Sequence, residues 1–512
     1  MRRFAPVLVA VLAGCAPVQR AETPVKNLAI PVRDPSQVTG TDDDTREDPP
    51  DSDATRPMTP PTLVRSHSAT GGELVVAPVR GVPLVEVRLV LPAAGSAGDG
   101  ERTGLAALTA ALAVEGAAGK LSARDIAARR GALASPLTAT TTRDATILSF
   151  ASTRDGLESA LELLATIVRE PKLDPAAVPR IVKRMRTERA AAGRGDATWI
   201  AAMLVHRELF KLPASVHPYA SFEATAGEVD HLPPDAPKTF AKQRWVPAGS
   251  LLVIAGDVDP ADARTSAEKA FGGWKGADAP TGSFTAPVPA DGVHVIVADL
   301  PGAATSEITL ATLATERTDE SWPALDLATQ LDEVRLSATL RDTTPFAGRT
   351  RIELLSTAHG PGARVARAIS EAARTGTVAA AMIDDLHRAP DLTASDAELG
   401  AARRRIEADV AVRLSTPGPL ADALARAGAL RSSDDVPDRQ LARIRATDAG
   451  AVQRAVRGNL GGGSVLIVVG DAARVAPLLV RLGDVTVTSP DRAFERVRTL
   501  PGDPKAPLEA AP

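Results

Sequence analysis

Seven histidines are the first candidates for metal ligation or proton transfer: His67, His206, His217, His231, His294, His359 and His387. Two histidines one helical turn apart, with a glutamate beside them, would hold zinc and activate its water. No pair in this chain has that spacing. His206 and His217 approach Glu208 in sequence, but a proline-containing loop separates them, and His217 reads as a local turn contact beside Tyr219. Gly-x-Ser-x-Gly is absent, so a serine nucleophile on a strand–helix elbow has no support. Gly461-Gly462-Gly463 precedes a strand and lacks a following Lys-Ser/Thr, which makes it a connection rather than a phosphate cradle. Gly256-Asp257 and Gly470-Asp471 each end an apolar run and read as structural turns, not acid catalysts.

Cys15 is the one cysteine, so no internal disulfide or cysteine-rich zinc site can form. Its setting is informative. Arg2-Arg3 is followed by the apolar run Phe4 to Leu12 and then by Leu12-Ala13-Gly14-Cys15. A basic start, a short apolar segment and small residues describe a secretory signal, and the run is too short for a permanent span. Leu-Ala-Gly-Cys resembles the lipobox of bacterial lipoproteins, which implies lipidation at Cys15. The alternative is a plain signal peptide with an incidental cysteine. The lipobox reading puts the protein in the bacterial cell envelope, lipid-anchored, at the outer membrane facing the periplasm. The net charge of −4 over 512 residues, with no basic block, argues against nucleic acid as a partner.

The elements that must position any site can be read from periodicity. Residues 1–15 are the signal, and 16–72 form a tether rich in Pro, Asp and Thr, too polar to pack a core. A first unit over 73–275 opens with an expected hairpin, Leu74–Val76 and Val85–Leu91; Val85, Val87, Leu89 and Leu91 alternate with polar residues as in a half-buried strand. Gly104–Leu112 comes next as a helix, with Leu105, Leu108 and Leu112 on one buried face. Helices are expected near 123–131, 157–168, 181–191, 199–209 and 261–271, and strands near 135–141, 146–152 and 250–257. A Pro- and Gly-rich linker, 276–292, leads to a second unit over 293–488. There, strands are expected at 295–298, 308–312, 351–356 and 464–471, and helices near 322–331, 365–373, 398–413 and 420–430. Ser464–Asp471 matches Ser250–Asp257 nearly residue for residue, and the strand around Val87 matches the one around Thr309. Two such echoes point to a duplicated unit. The last residues, 489–512, read as a loose tail.

Several stretches resemble the pitrilysin/insulinase family of zinc metallopeptidases over 73–490. They are Gly104-Leu105-Ala106 with Glu115-Gly116, His217-Pro218-Tyr219 with Gly227, and Arg244-Trp245-Val246-Pro247 leading into Leu252–Asp257. In the second half they are Leu300–Ser306, Arg335-Leu336 and Leu340-Arg341. The resemblance implies an α+β fold of two homologous insulinase-like domains, each an antiparallel sheet packed with helices.

The family's chemistry needs His-x-x-Glu-His on the first helix and a distal glutamate. Carried onto this chain, the two histidines fall at Ala107 and Ala111 and the base at Ala110; the distal ligand aligns with Glu188, a possible relic. The substrate-gripping arginine of the second domain falls at Arg341, and the accompanying tyrosine falls near Phe346–Gly348, in a half with no tyrosine. The resemblance, with these positions altered, implies a non-catalytic family member with no catalytic residues, no metal site and no cofactor. Its expected partners are an active, zinc-bearing family member in a heterodimer, a peptide or unfolded polypeptide, and the membrane through the lipid anchor. A stand-alone peptide-binding or scaffolding lipoprotein is the first alternative. A zinc metalloendopeptidase with non-standard ligands is the second.

Overall fold

The computed structural model describes residues 61–68, 71–211, 217–220, 222–278, 280, 284–288, 291–343, 350–391, 393–431, 437–460 and 462–510. Cys15 and most of the tether lie outside the described residues, as does the Phe346–Gly348 position.

The first half runs β1 (Val64–His67), β2 (Glu73–Pro78), β3 (Leu84–Leu91), α1 (Leu105–Glu115), α2 (Ala123–Gly131), β4 (Thr138–Thr141) and β5 (Thr146–Thr153). It continues with α3 (Leu157–Arg169), α4 (Val178–Gly195), α5 (Ala197–Leu209), α6 (Ala226–Val229), α7 (Ala236–Arg244), β6 (Leu251–Gly256) and α8 (Pro260–Phe271). The second half runs β7 (Val293–Asp299), β8 (Thr305–Glu316), α9 (Trp322–Thr343), β9 (Arg351–Leu355), β10 (Pro361–Glu371), α10 (Thr375–Arg388) and α11 (Asp396–Leu414). It closes with α12 (Pro417–Ala429), α13 (Pro437–Ala446), α14 (Ala449–Asn459), β11 (Ser464–Gly470), α15 (Ala472–Leu479), β12 (Val485–Ser489) and β13 (Glu495–Leu500).

The strands form two sheets with the orders β1-β2-β6-β3-β5-β4 and β13-β12-β7-β11-β8-β10-β9. Five strands of one correspond in order to five of the other: β2, β6, β3, β5 and β4 to β7, β11, β8, β10 and β9. The match extends to direction. β2 runs parallel to β6 as β7 does to β11, and the other pairs in these five are antiparallel. Leu252 pairs with Leu89, and its counterpart Leu466 pairs with Leu310. The duplication read from Ser250–Asp257 and Ser464–Asp471 is therefore a duplication of sheet topology. Both of these strands are buried along their whole length, which is why they read as unbroken apolar runs.

Four expectations are corrected. β2 and β3 are not a hairpin, because β6 lies between them; a sequence neighbour is displaced by a strand from some 160 residues away. Residues 365–373 are mostly strand, not helix. β10 has Val365, Ala366 and Ala368 all buried, and burial on both faces removes the alternation that marks a strand. The tether reading runs too far, since Val64–His67 pairs with Leu74–Val76 and Glu73. The tail is not loose, since Glu495–Leu500 pairs with β12 and Ala510 N donates to Ala373 O at 3.0 Å. Both missed strands are polar edges, held by backbone pairing that composition does not reveal.

The halves exchange helices. α5 belongs to the first half in sequence, yet Ile200, Ala201, Leu204 and Val205 pack in one core cluster with Ile296, Ala311, Val365, Val465 and Ile467 of the second sheet. In return α12 lies on β3 and β6 of the first sheet. Arg88 of β3, itself buried, donates to Asp422 of α12 at 2.7 Å, and Thr198 of α5 donates to Glu307 of β8 at 2.9 Å. α5 and α12 are each 13 residues long and occupy equivalent places on the duplicated sheets.

Candidate functional site

Helix α1 starts where Gly104 takes a left-handed φ of 95°, and a Cβ there would meet Ala224 Cβ at 2.8 Å. Asp99 caps this end, accepting from Gly104 N and Ala106 N at 2.7 Å each. Burial pushes its carboxyl up to about 7, against the lowering effect of those N–H groups and of Arg244. The helix is not buried on one face only. Leu105, Ala106, Leu108, Thr109, Ala110, Leu112, Ala113 and Val114 are all buried, because α4, α7 and β4 surround it.

Ala107 and Ala111 are two of the few half-buried residues, and both line a cavity of about 250 Å³. The cavity's second wall is β4, through Ala139, Thr140 and Thr141. β4 is the outermost strand of its sheet, and Thr142 N donates to Ala145 O in the turn to β5. Alternation from that bonded pair turns the backbone groups of Ala139 and Thr141 toward the free edge. The third wall is α4, through Met185 and Arg189, and Glu223 closes the far side. Arg189 pairs with Glu223 at 2.5 Å, and the same carboxylate oxygen accepts from Trp199 Nε1 at 2.7 Å.

The three motif positions separate in space. Ala107 and Ala111 face the cavity, whereas Ala110, onto which the resemblance carries the base, is 2% exposed within the first half's core. Glu188 does not line the cavity. It is exposed and pairs with Arg184 at 3.7 Å, while Met185 and Arg189 take the inward positions. The residues present do not fit zinc: methyl groups carry no lone pairs, and an arginine stands nearby. Among the described residues, no group of three His, Cys, Asp or Glu side chains is arranged to hold a metal. Arg341 is exposed in the last turn of α9, away from this cavity's lining.

His206 and His217 serve the junction of the halves instead. His206 is buried against Phe210 and Phe222 and bonds Arg143, 2.9 Å from Nδ1. Burial, then the charges of Arg143 and Arg367, hold its imidazole well below the usual value. His217 accepts from Tyr219 N at 3.1 Å, the expected turn contact, and its Nε2 meets Thr285 O at 2.9 Å. Tyr219 Oη donates to Asp144 at 2.5 Å and accepts from His359 N at 3.0 Å; Ala358 N also donates to Asp144, at 3.1 Å. Phe284, from the 276–292 segment, stacks on the His359 ring at 4.4 Å. Sequence reasoning missed Asp99, Arg189, Glu223 and this junction. The available signal was the helical phase of Arg189, four residues after Met185.

Two family models match the chain: "Insulinase (Peptidase family M16)" over residues 81–217 and "Peptidase M16 inactive domain" over residues 232–404. No curated protein matches it by sequence. Among solved structures, a protease from Helicobacter pylori has a TM-score of 0.72 at 17% identity, over 80% of this chain and 100% of that one. A peptidase M16 inactive domain from Pseudomonas fluorescens has a TM-score of 0.69 at 19% identity, over 80% and 98%. The first half of the periplasmic protease PqqL from Escherichia coli has a TM-score of 0.65 at 12% identity, over 82% and 94%. These likenesses bear on fold, and the duplicated sheets agree with them. With matched segments spanning more than half its length, the chain is a homologue in the pitrilysin/insulinase peptidase family M16, carrying that family's inactive-type domain in its second part.

Proposed function

We propose that the protein is a non-catalytic, peptide-binding member of its family that works beside an active zinc-bearing partner in the bacterial envelope. The observation that carries this reading is the pairing of an intact frame with alanine at the motif positions. Ala107 and Ala111 line a cavity whose other wall is an open strand edge. An extended peptide adding to β4 would bond the outward groups of Ala139 and Thr141 and lie over a site that cannot cut it. The chain spans 47% of whole-length PqqL, and 98% and 100% of the Pseudomonas fluorescens and Helicobacter pylori chains. The lipid anchor at Cys15 would hold the complex at the outer membrane, facing the periplasm.

Thr141→Pro is the sharpest test of the binding reading. It removes one outward N–H and leaves the backbone pairing with β5 in place, at the loss of the 3.2 Å contact between the Thr141 and Thr146 hydroxyls. Binding of a fluorescein-labelled randomised octapeptide pool should fall at least tenfold, while the circular dichroism spectrum stays unchanged. Unchanged binding would sink strand addition at β4. Purification from the native host under gentle detergent tests the partner: an active family member should co-elute, and a lone monomer would favour the stand-alone binder. Stoichiometric zinc in the purified protein would overturn the non-catalytic reading. Cys15→Ser should move the protein from the membrane to the soluble fraction.

A further inference from the structure

The cavity beside Ala107 and Ala111 contains a charged group that the proposed strand addition does not use. Arg189 projects from α4 into its wall. Its Nη1 is taken by Glu223 at 2.5 Å. Its Nε is closed off from solvent and has no hydrogen-bond partner. A buried donor without a partner is costly, and an acceptor that reaches it removes that cost. Nε and Nη2 form the side-on edge by which a guanidinium grips a carboxylate with two parallel bonds. Glu223 does not serve that edge, and its own charge is already met by Arg189 and by Trp199 Nε1.

We propose that Arg189 is the specificity residue of this cavity and that it takes a carboxylate of the bound peptide on its Nε–Nη2 edge, between α1 and β4. The inference rests on the peptide-binding reading above. A guanidinium bridging two carboxylates is compatible with Glu223, which stays on Nη1 while the ligand occupies the opposite edge. The carboxylate can come from a peptide C-terminus or from an Asp or Glu side chain. Both offer the same pair of oxygens, and the test separates them.

Three labelled octapeptide pools are titrated by fluorescence anisotropy against the full chain: free-acid peptides lacking Asp and Glu, the matched C-terminal amides, and amides containing Asp and Glu. At least one carboxylate-bearing pool should bind about tenfold tighter than the plain amides, and the pool that does so identifies the source. Arg189→Gln should remove that preference, so that the three pools bind alike. Arg189→Lys should keep part of it, because it keeps the charge and loses the fork. Glu223→Gln should strengthen it by relieving repulsion, which no scaffold role for Arg189 predicts. Equal binding of all three pools overturns the inference and leaves peptide binding standing. A preference that survives Arg189→Gln also overturns it. Binding of none of the pools overturns both the inference and the peptide-binding reading.

Discussion

At Asp99 a single carboxyl both caps α1 and titrates near neutrality. An ordinary aspartate loses its proton near 3.8, and burial raises this one to about 7. Between those values the folded chain holds a proton that the unfolded chain has released. The stabilisation is therefore complete below 3.8 and is lost as pH rises through about 7. The urea midpoint of the native protein should fall between pH 4 and 8, and Asp99→Asn should flatten that slope. A slope unchanged in the variant would assign the pH dependence elsewhere. Rebuilding the family motif is limited at the same scale. Ala107→His and Ala111→His enter the cavity and should be tolerated. Ala110→Glu places a carboxylate among core side chains and should cost about 2 kcal/mol or more. Thermal melts of the three single variants would show the difference, and a harmless Ala110→Glu would contradict the placement of that residue. Ala107, Ala110 and Ala111 were singled out by the resemblance alone. Arg189, Glu223 and Trp199 were not, because they come from α4, α5 and a later loop, and only folding brings them together.

At the level of elements, β3 was legible because its inward residues alternate, whereas β10 was not, because both of its faces are covered. β1 and β13 escaped for the opposite reason, as exposed edges whose pairing resides in the backbone. The insertion of β6 between β2 and β3 is a long-range pairing that no local pattern encodes. The exchanged helices make a direct prediction. Leu204 in α5 is 1% exposed and Leu424 in α12 is 4% exposed, each against the other half's sheet. Leu204→Ala and Leu424→Ala should each cost about 2–5 kcal/mol in denaturant unfolding. Values near zero would mean that the helices sit loosely on those sheets.

For the molecule as a whole, the exchange means that the second core draws on both halves, and residues 59–512 form one compact unit. Calorimetry should record one cooperative transition for this body, and each leucine variant should lower that same transition. Two separable transitions would show that the halves melt independently. A fragment ending at residue 280 should be insoluble when expressed alone and should be rescued by co-expression of residues 281–512.

The same exchange has a consequence for synthesis. α5 leaves the ribosome complete at Leu209, but the strand it covers, β11, begins at Ser464. At ordinary ribosomal elongation rates that gap lasts about 10–50 s. Throughout it, Leu204, Val205 and their neighbours lack the central strand of the sheet on which they pack. The nascent chain therefore has to be shielded for about half of its synthesis, and depletion of a holding chaperone should reduce the yield of the intact protein before it affects the stability of molecules already folded.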